Sequence, residues 1–240
     1  MRDRPAAVSR MYAIPPHPIP SLAIRGDSQR FPIHRIYCVG RNFAEHAREM
    51  GAEVSRGTPV FFCKPADAAV PGGDIPYPSG TSELHHEVEL VVALGHDADG
   101  VVTIVDALQL VFGYSVGLDL TRRDLQAIAK ERRLPWDVAK AFDASAPIAE
   151  LVPVAQCGHP STQRLWLEVG GTVRQQAPLS DMVFGVAEVL HELSKLFALR
   201  AGDLVFMGTP AGVAALQPGD SFRAGVDGLA TLEGRIVPSR

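Results

Sequence analysis

Apolar residues recur along the chain in short runs separated by glycine, proline and polar residues. These runs predict buried strands at HRIYCVG, VFFCKP, HHEVELVVAL, VFGYSVGLDL and LVFM. Two hairpins are predicted, with turns at Gly170-Gly171 and at Asp227-Gly228. Helical spacing occurs in RNFAEHAREM, in TRRDLQAIAKERR with Thr121 as its predicted cap, and over about 184–199 with Ser180 as its predicted cap. The pattern therefore predicts many short strands with a few helices between them.

Proline distinguishes the amino-terminal part of the chain from the rest. Six of the 19 prolines fall within the first 32 residues, where hydrophobic periodicity is weak. We therefore expect residues 1–33 to form a Pro-rich, extended lead-in with a short edge strand near residues 22–24. The remaining residues, 34–240, are numerous enough to form one catalytic domain with a sizeable core.

Composition narrows the class of ligand and the compartment. The net charge of −4 arises from 23 basic and 27 acidic residues without long like-charge blocks, which argues against nucleic-acid and membrane partners and favours a small molecule. Three cysteines without CxxC spacing argue against a disulfide framework or a zinc knuckle. No apolar run approaches the roughly 18 residues of a membrane helix, and a signal-like apolar core is lacking. We expect a cytoplasmic protein.

Three carboxylates in two predicted strands form a candidate metal site. Strand alternation places Glu87 and Glu89 on one face together with His85, and the next strand ends in Asp119. Two carboxylates about 7 Å apart on so apolar a strand need neutralisation if they are buried. An all-carboxylate set favours Mg²⁺ or Mn²⁺ over Zn²⁺. An exposed acidic strand face with an unrelated aspartate is the alternative, because the pattern alone does not establish burial.

A histidine and a carboxylate on the first predicted helix form a candidate general base. His46 and Glu49 are three residues apart and therefore face the same way. An imidazole oriented by a carboxylate can accept a proton near neutral pH. A solvated helix face explains the same spacing equally simply.

Four further polar residues are candidates for contact with an anionic substrate. Arg123 and Gln126 share a face of the second predicted helix, where the arginine opposes the helix dipole unless an acidic group is near. Lys140 is flanked by alanines, and Thr209 lies in a Gly-Thr-Pro corner after a buried strand. A surface arginine, an ordinary lysine and a structural turn are the competing interpretations.

Taken together, six segments resemble the fumarylacetoacetate hydrolase family, in particular its small acylpyruvate and fumarylpyruvate hydrolase branch. They occur in the order and near the spacing of that family, and the resemblance extends from about residue 31 to the carboxyl terminus. The segments are YCVGRNFAEHAREM, VFFCKP, HHEVELVVALG, GLDLTRRDLQ, LPWDVAKAFDASAPI and LVFMGTPAGV. The resemblance implies a mostly β fold with α (α+β), built on a rolled mixed β-sheet with a few peripheral helices, and a homodimer.

The same resemblance assigns roles to nine residues. It implies that Mg²⁺ or Mn²⁺ is bound by Glu87, Glu89 and Asp119. It implies a catalytic dyad on a lid-like helix, formed by His46 and Glu49, with Lys140 stabilising the enolate. Substrate is contacted by Arg123, Gln126 and Thr209.

The activity that the resemblance implies is hydrolysis of a C–C bond. The expected substrate is a β-diketone acid, an acylpyruvate such as fumarylpyruvate, which would give pyruvate and a carboxylic acid. The same metal site also suits an oxaloacetate decarboxylase, or a hydratase or isomerase of a 2-oxo dioic acid. A non-catalytic module that binds 2-oxo acids is a further alternative.

Overall fold

The computed structural model describes residues 12–49, 51 and 56–239. The described residues form eighteen strands, five α-helices and three single 3₁₀ turns. The strands are β1 (Ser21–Ile24), β2 (Asp27–Pro32), β3 (Ile36–Gly40), β4 (Val60–Lys64), β5 (Ala69–Val70), β6 (Gly73–Pro76), β7 (Leu84–His85), β8 (Val88–Leu94), β9 (Val111–Leu118), β10 (Thr121–Arg122), β11 (Ala146–Pro147), β12 (Val152–Pro153), β13 (Arg164–Val169), β14 (Thr172–Pro178), β15 (Leu204–Phe206), β16 (Ala215–Leu216), β17 (Ser221–Val226) and β18 (Thr231–Val237). The helices are α1 (Ala44–Glu49), α2 (Arg123–Arg132), α3 (Asp137–Lys140), α4 (Val154–Cys157) and α5 (Val186–Ser194). The 3₁₀ turns span Ala66–Ala68, Ala107–Leu110 and Leu179–Asp181.

A six-stranded mixed sheet forms the centre of the molecule, with the strand order β12-β9-β8-β15-β3-β4. β15 runs parallel to β3, whereas the other neighbours are antiparallel. Every residue of β8 is buried, with Leu90 and Val92 in one apolar cluster and Val91 and Ala93 in another. The sheet is therefore covered on both faces, which explains why β8 is an almost continuous apolar run.

A five-stranded sheet, with the order β14-β13-β17-β18-β6, covers one face of the central sheet. Leu165 and Leu167 of β13 and Ala224 of β17 share an apolar cluster with residues of β8 and β9. α5 adds its predicted apolar stripe to the same cluster through Val189, Leu190 and Leu193. The prediction of mixed sheets with few helices is confirmed.

The hairpin of β1 and β2 covers the opposite face. Leu22, Ile24 and Phe31 pack in the same cluster as Val91 and Ala93 of the central sheet. The strand predicted near residues 22–24 is present, and it pairs with β2 within the segment predicted as a lead-in. The domain boundary at residue 33 stays a prediction, although this hairpin joins the core.

Two predicted helix caps are wrong. Thr121 lies in β10, and its hydroxyl donates to the backbone oxygen of Asp119 (3.1 Å), so α2 begins only at Arg123. Ser180 lies in a 3₁₀ turn, whereas α5 begins after Gly185, whose N–H donates to the side chain of Glu188 (2.9 Å). Thr121 is held in β10 by its pairing with His85 of β7, so α2 begins after that strand. α5 begins later than predicted because Gly185 is its cap.

The HHEVELVVAL segment is two strands rather than one. β7 ends at His85 and pairs with β10 and β16, while β8 begins at Val88 and pairs with β9 and β15. The interruption at residues 86–87 lies beside the candidate metal site. Among the described residues, no helix is both long and apolar enough to cross a membrane.

Candidate active site

The pairing of β8 with β9 brings the three predicted metal ligands together. Val88 is opposite Leu118, and the N–H of Asp119 donates to the backbone oxygen of Glu87 (2.9 Å). As a result, one side-chain oxygen from each of Glu87, Glu89 and Asp119 lies within 4.8 Å of the others. All three side chains are buried, which excludes the interpretation of an exposed acidic face.

Cationic side chains surround two of the three carboxylates. Lys140 Nζ lies 2.7 Å from Glu87 Oε2 and 2.6 Å from Asp119 Oδ2. Arg123 also donates to Glu87. Lys64 Nζ lies 2.8 Å from Asp119 Oδ1, although that oxygen accepts no hydrogen bond of good geometry. The three cationic side chains thus contact Glu87 and Asp119 but not Glu89.

Glu89 is the exception, because it has no ion pair with any residue that the structure describes. Its Oε2 accepts a hydrogen bond from the N–H of Gly208 (2.6 Å). Burial, together with the charges of Asp119 and Glu87, raises the pKa of Glu89 well above its ordinary value. Burial acts in the same direction on Glu87, but Lys140 and Arg123 hold its pKa well below the ordinary value.

The donor set fits a hard divalent cation. Its ligands would be carboxylate oxygens only, one of which, Asp119 Oδ1, is buried without a hydrogen bond. A divalent cation would remove the repulsion that raises the pKa of Glu89. The ion and the three cationic side chains together would outweigh the charge of the three carboxylates, which leaves a net positive charge for an anionic ligand.

The predicted dyad borders the same pocket. His46 Nδ1 and Glu49 Oε2 are 3.1 Å apart, and His46 lines the pocket that contains the triad. Glu49 also accepts a hydrogen bond from the N–H of Gly212 (3.2 Å), which connects α1 to the loop after β15. The dyad is therefore tied to the body of the protein, not merely placed on a solvated helix face.

Arg123 and Gln126 of α2 line the same pocket as His46, and they share one face of the helix as predicted. Arg123 Nη1 donates to Gln126 Oε1 (2.6 Å), and both residues line the pocket. Lys130 of the same helix and Arg41 also line it. Burial, together with the charges of Arg123 and Arg41, lowers the pKa of Lys130.

Thr209 completes the set of sequence-predicted residues in the pocket. Its hydroxyl oxygen accepts a hydrogen bond from Gln175 Nε2 (2.8 Å). The neighbouring Gly208 has a φ of +89°, and a Cβ there would lie 2.7 Å from the Cβ of Asn42. Only glycine fits this corner, so the backbone can approach Glu89 closely.

The sequence pattern missed Lys64, Gln175, Arg41 and Lys130, and it misplaced one residue. Lys64 ends β4 as a wholly buried lysine that donates to the backbone oxygens of Leu120 and Lys140. Its position directly before a proline at the end of an apolar strand was the one available signal. His85, predicted beside Glu87 and Glu89, belongs to β7 and does not line the pocket, and burial, with Arg123 and His86, lowers its pKa to about 4.

Comparison with known proteins agrees with this geometry. The family model described as fumarylacetoacetate (FAA) hydrolase, C-terminal, matches residues 35–237. The chain belongs to the fumarylacetoacetate hydrolase family. The fumarylpyruvate hydrolase from Pseudomonas aeruginosa, solved in complex with Mn²⁺ and pyruvate, has a TM-score of 0.93 and 46% sequence identity over 95% of this chain and 100% of that chain. The predicted fold of this family is thereby confirmed, and the protein is an enzyme.

The chain is also similar to family members whose names give an activity other than fumarylpyruvate hydrolysis. The mitochondrial oxaloacetate tautomerase of Rattus norvegicus is 40% identical over 206 residues, which is 85% of this chain and 92% of the relative. The mitochondrial oxaloacetate decarboxylase of Dictyostelium discoideum is 37% identical over 82% of this chain and 90% of the relative. Family membership therefore leaves more than one reaction to consider.

Proposed function

We propose that this enzyme is a metal-dependent hydrolase that cleaves the C–C bond of an acylpyruvate such as fumarylpyruvate. The products are pyruvate and a carboxylic acid. The observation that carries the proposal is the His46–Glu49 pair, 3.1 Å apart, at the edge of the pocket that holds the carboxylate triad. Hydrolysis needs a base that activates water, whereas loss of carbon dioxide from the β-keto acid oxaloacetate does not.

Glu87, Glu89 and Asp119 would hold Mg²⁺ or Mn²⁺ in this enzyme. When bound, the ion supplies an electrophile that orients the 2-oxo acid end of the substrate and polarises its carbonyl. Lys140 and Arg123 lower the pKa of Glu87 and so keep it ionised, and Lys140 and Lys64 hold Asp119 in place.

The dyad performs the proton transfer. Glu49 faces Nδ1 of His46, which leaves Nε2 to take a proton from water. The resulting hydroxide attacks the acyl carbonyl, and the bond between that carbon and the methylene group breaks. The electron pair of the broken bond becomes the enolate of pyruvate, which a proton converts to the ketone.

Lys140 stabilises the enolate by its charge. An ammonium group has three N–H donors, and those of Lys140 are directed to Glu87, Asp119 and Thr121. No donor is left for a substrate oxygen, so Lys140 acts through the field and through the carboxylates that it holds. Arg123, Gln126 and Thr209 are the substrate contacts in this proposal.

The substrate favoured by the pocket is an anion with a second carboxylate. Lys130 and Arg41 line the pocket together with Arg123 and add positive charge that would bind a second carboxylate. The acyl group of fumarylpyruvate ends in a carboxylate, whereas that of acetylpyruvate does not. We therefore rank fumarylpyruvate above acylpyruvates whose acyl group is uncharged.

Oxaloacetate decarboxylation or tautomerisation is the second candidate. It is favoured by the relatives named above that act on oxaloacetate. Loss of carbon dioxide from oxaloacetate gives the same enolate and uses the same triad, but it requires no water-activating base. A 2-oxo acid binding module without activity does not explain why the dyad and the triad share one pocket.

The deciding experiment compares three substrates with one preparation. Purified protein with Mg²⁺ is assayed on fumarylpyruvate, acetylpyruvate and oxaloacetate by diketone absorbance and pyruvate release. Fastest turnover of fumarylpyruvate, lost in His46→Ala, is expected. Fastest pyruvate release from oxaloacetate, retained in His46→Ala, would support decarboxylation, and a change in the enol absorbance of oxaloacetate without pyruvate release would support tautomerisation. No change with any of the three substrates would support a binding module.

The assembly and the compartment are also part of the proposal. We expect a cytoplasmic homodimer without nucleic-acid or membrane partners. Light scattering after gel filtration measures the assembly, and cell fractionation tests the compartment.

A further inference from the structure

Gln175 of β14 is a buried amide to which none of the steps above assigns a role. It is 1% exposed. Its Oε1 accepts hydrogen bonds from His86 Nδ1 (2.9 Å) and from the N–H of Val88 (3.1 Å). Its Nε2 donates to Thr209 Oγ1 (2.8 Å) and to the backbone oxygen of Pro210 (2.8 Å). The side chain therefore uses all four of its hydrogen-bonding positions, which is the capacity of an amide.

The orientation of this amide is fixed by partners that can act in only one way. The backbone N–H of Val88 can only donate, so Oε1 must face it. The backbone oxygen of Pro210 can only accept, so the NH₂ group must face that side. It follows that His86 carries a hydrogen on Nδ1 and that Thr209 accepts through its oxygen.

This arrangement determines what Thr209 can offer to a ligand. Its hydroxyl oxygen receives the hydrogen bond of Gln175, and its hydrogen is donated to no partner in the part of the chain that the structure describes. Because Thr209 lines the pocket, that hydrogen is available to an acceptor there. A hydroxyl held in this way is a donor, the property that recognition of a carboxylate or enolate oxygen requires.

The other half of the amide acts on the triad. β7 ends at His85 and β8 begins at Val88, and Gln175 Oε1 fills the interruption by binding the side chain of His86 and the backbone of Val88. Glu87 lies between these two contacts. The side chain of Gln175 thus binds both the segment that carries Glu87 and the loop that carries Thr209.

We propose that Gln175 is a positioning residue for 2-oxo acid recognition: it fixes the Thr209 hydroxyl as a donor towards the substrate and holds the strand interruption that carries Glu87. The inference rests on the proposed function, because it takes Thr209 as a substrate contact. It requires that Gln175 and Thr209 act as one unit in binding.

The test is a double-mutant cycle on binding of oxalate, which resembles the enolate of pyruvate, measured by calorimetry with saturating Mg²⁺. We expect Gln175→Met and Thr209→Val each to weaken oxalate binding by about tenfold, as loss of one hydrogen bond to a charged ligand does. The double variant should bind oxalate no more weakly than Gln175→Met alone, because without Gln175 the Thr209 hydroxyl is no longer fixed as a donor towards the ligand. Gln176→Met, on the exposed face of the same strand, should bind oxalate like the unaltered enzyme.

Additive losses of about a hundredfold in the double variant, or unchanged binding in Gln175→Met, would overturn the inference. Mn²⁺ affinity and the melting temperature are measured in parallel, since a merely structural role would change these without coupling to Thr209. If Gln175→Met does not fold, Gln175→Glu removes both N–H donors and keeps the two acceptor contacts, and the same cycle applies. If the variants show the expected cycle but the unaltered enzyme cleaves no acylpyruvate, the proposed hydrolysis fails while the positioning role stands.

Discussion

Individual residues of the site differ in how their charge is compensated. Glu87 and Asp119 each contact two cationic side chains, whereas Glu89 has only the N–H of Gly208 among the described residues. A buried carboxylate without a cation is unfavourable, which is why the pKa of Glu89 is raised. A divalent cation bound by the triad would therefore stabilise Glu89 most, whereas the proposed general base, His46, lies on a separate helix, α1.

The division of labour between the triad and the dyad gives a first prediction. His46→Ala should lower kcat for fumarylpyruvate by about 100- to 10,000-fold, the range that general base catalysis contributes. Mn²⁺ affinity, measured by electron paramagnetic resonance, should stay unchanged because no carboxylate of the triad is altered. His96→Ala, an exposed histidine outside the pocket, is the control. A His46→Ala variant that keeps full hydrolytic activity would refute the role of the dyad.

Lys130 gives a second prediction at this scale. Lys130→Met should raise the KM for fumarylpyruvate by about tenfold and leave the KM for acetylpyruvate nearly unchanged, because only the former has a distal carboxylate. Lys195→Met, which removes an exposed lysine of the α5 end, should affect neither substrate. Equal effects of Lys130→Met on both substrates would show that Lys130 does not contact the acyl group.

At the scale of elements, strands were predictable and their interruptions were not. The apolar runs located β3, β4, β8, β9 and β15, because an apolar run is a local feature of the sequence; β4, however, is a mostly exposed edge strand and not the buried strand that was predicted. The break at His86 depends on Gln175, which is 89 residues away, and no local pattern encodes such a partner. Lys64 was missed for the same reason, since its three oxygen partners come from distant segments.

The nine predicted site residues show the same division. Glu87, Glu89 and Asp119 stand out because carboxylates are rare in apolar strands, and their convergence follows from antiparallel pairing of neighbouring strands. The contribution of Lys140 was not predictable in the same way. That its ammonium has no spare donor depends on the packing of α3 against β10, which brings Thr121 to it.

The attachment of α1 to the loop after β15 gives a third prediction. The N–H of Gly212 binds Glu49, the φ of Gly212 is +96°, and a Cβ there would collide with the backbone oxygen of Arg174. Gly212→Ala should lower the free energy of unfolding by about 1–3 kcal/mol more than Gly219→Ala, and it should lower kcat by displacing Glu49. Gly219 is the matched control, because its φ of +102° is similar but nothing lies within 4 Å. Equal losses in urea denaturation would mean that the close approach to Arg174 is unimportant.

For the whole molecule, the triad lies at the end of the two central strands, so metal binding is coupled to global stability. A divalent cation that binds only the folded state at a hundredfold excess over its Kd adds about 2.7 kcal/mol. For a chain of this length that corresponds to a rise in Tm of roughly 5–10 °C. We expect Mg²⁺ or Mn²⁺ to raise Tm by this amount in differential scanning calorimetry and EDTA to reverse it.

Glu89→Gln separates metal binding from folding at this scale. The variant removes the carboxylate that lacks a cation, and a glutamine oxygen can still accept the N–H of Gly208, so the metal-free protein should melt at or above the temperature of the metal-free enzyme. The rise in Tm with Mg²⁺ and the metal-dependent turnover should both be lost. Loss of a metal ligand should weaken Mg²⁺ binding by more than the roughly 10- to 100-fold that follows from changing a residue that only contacts a ligand. A Glu89→Gln variant that retains the Mg²⁺-dependent rise would place the ion elsewhere. One that melts far below the metal-free enzyme would mean that the Glu89 carboxylate stabilises the fold by itself, contrary to the repulsion inferred from its burial beside Glu87 and Asp119.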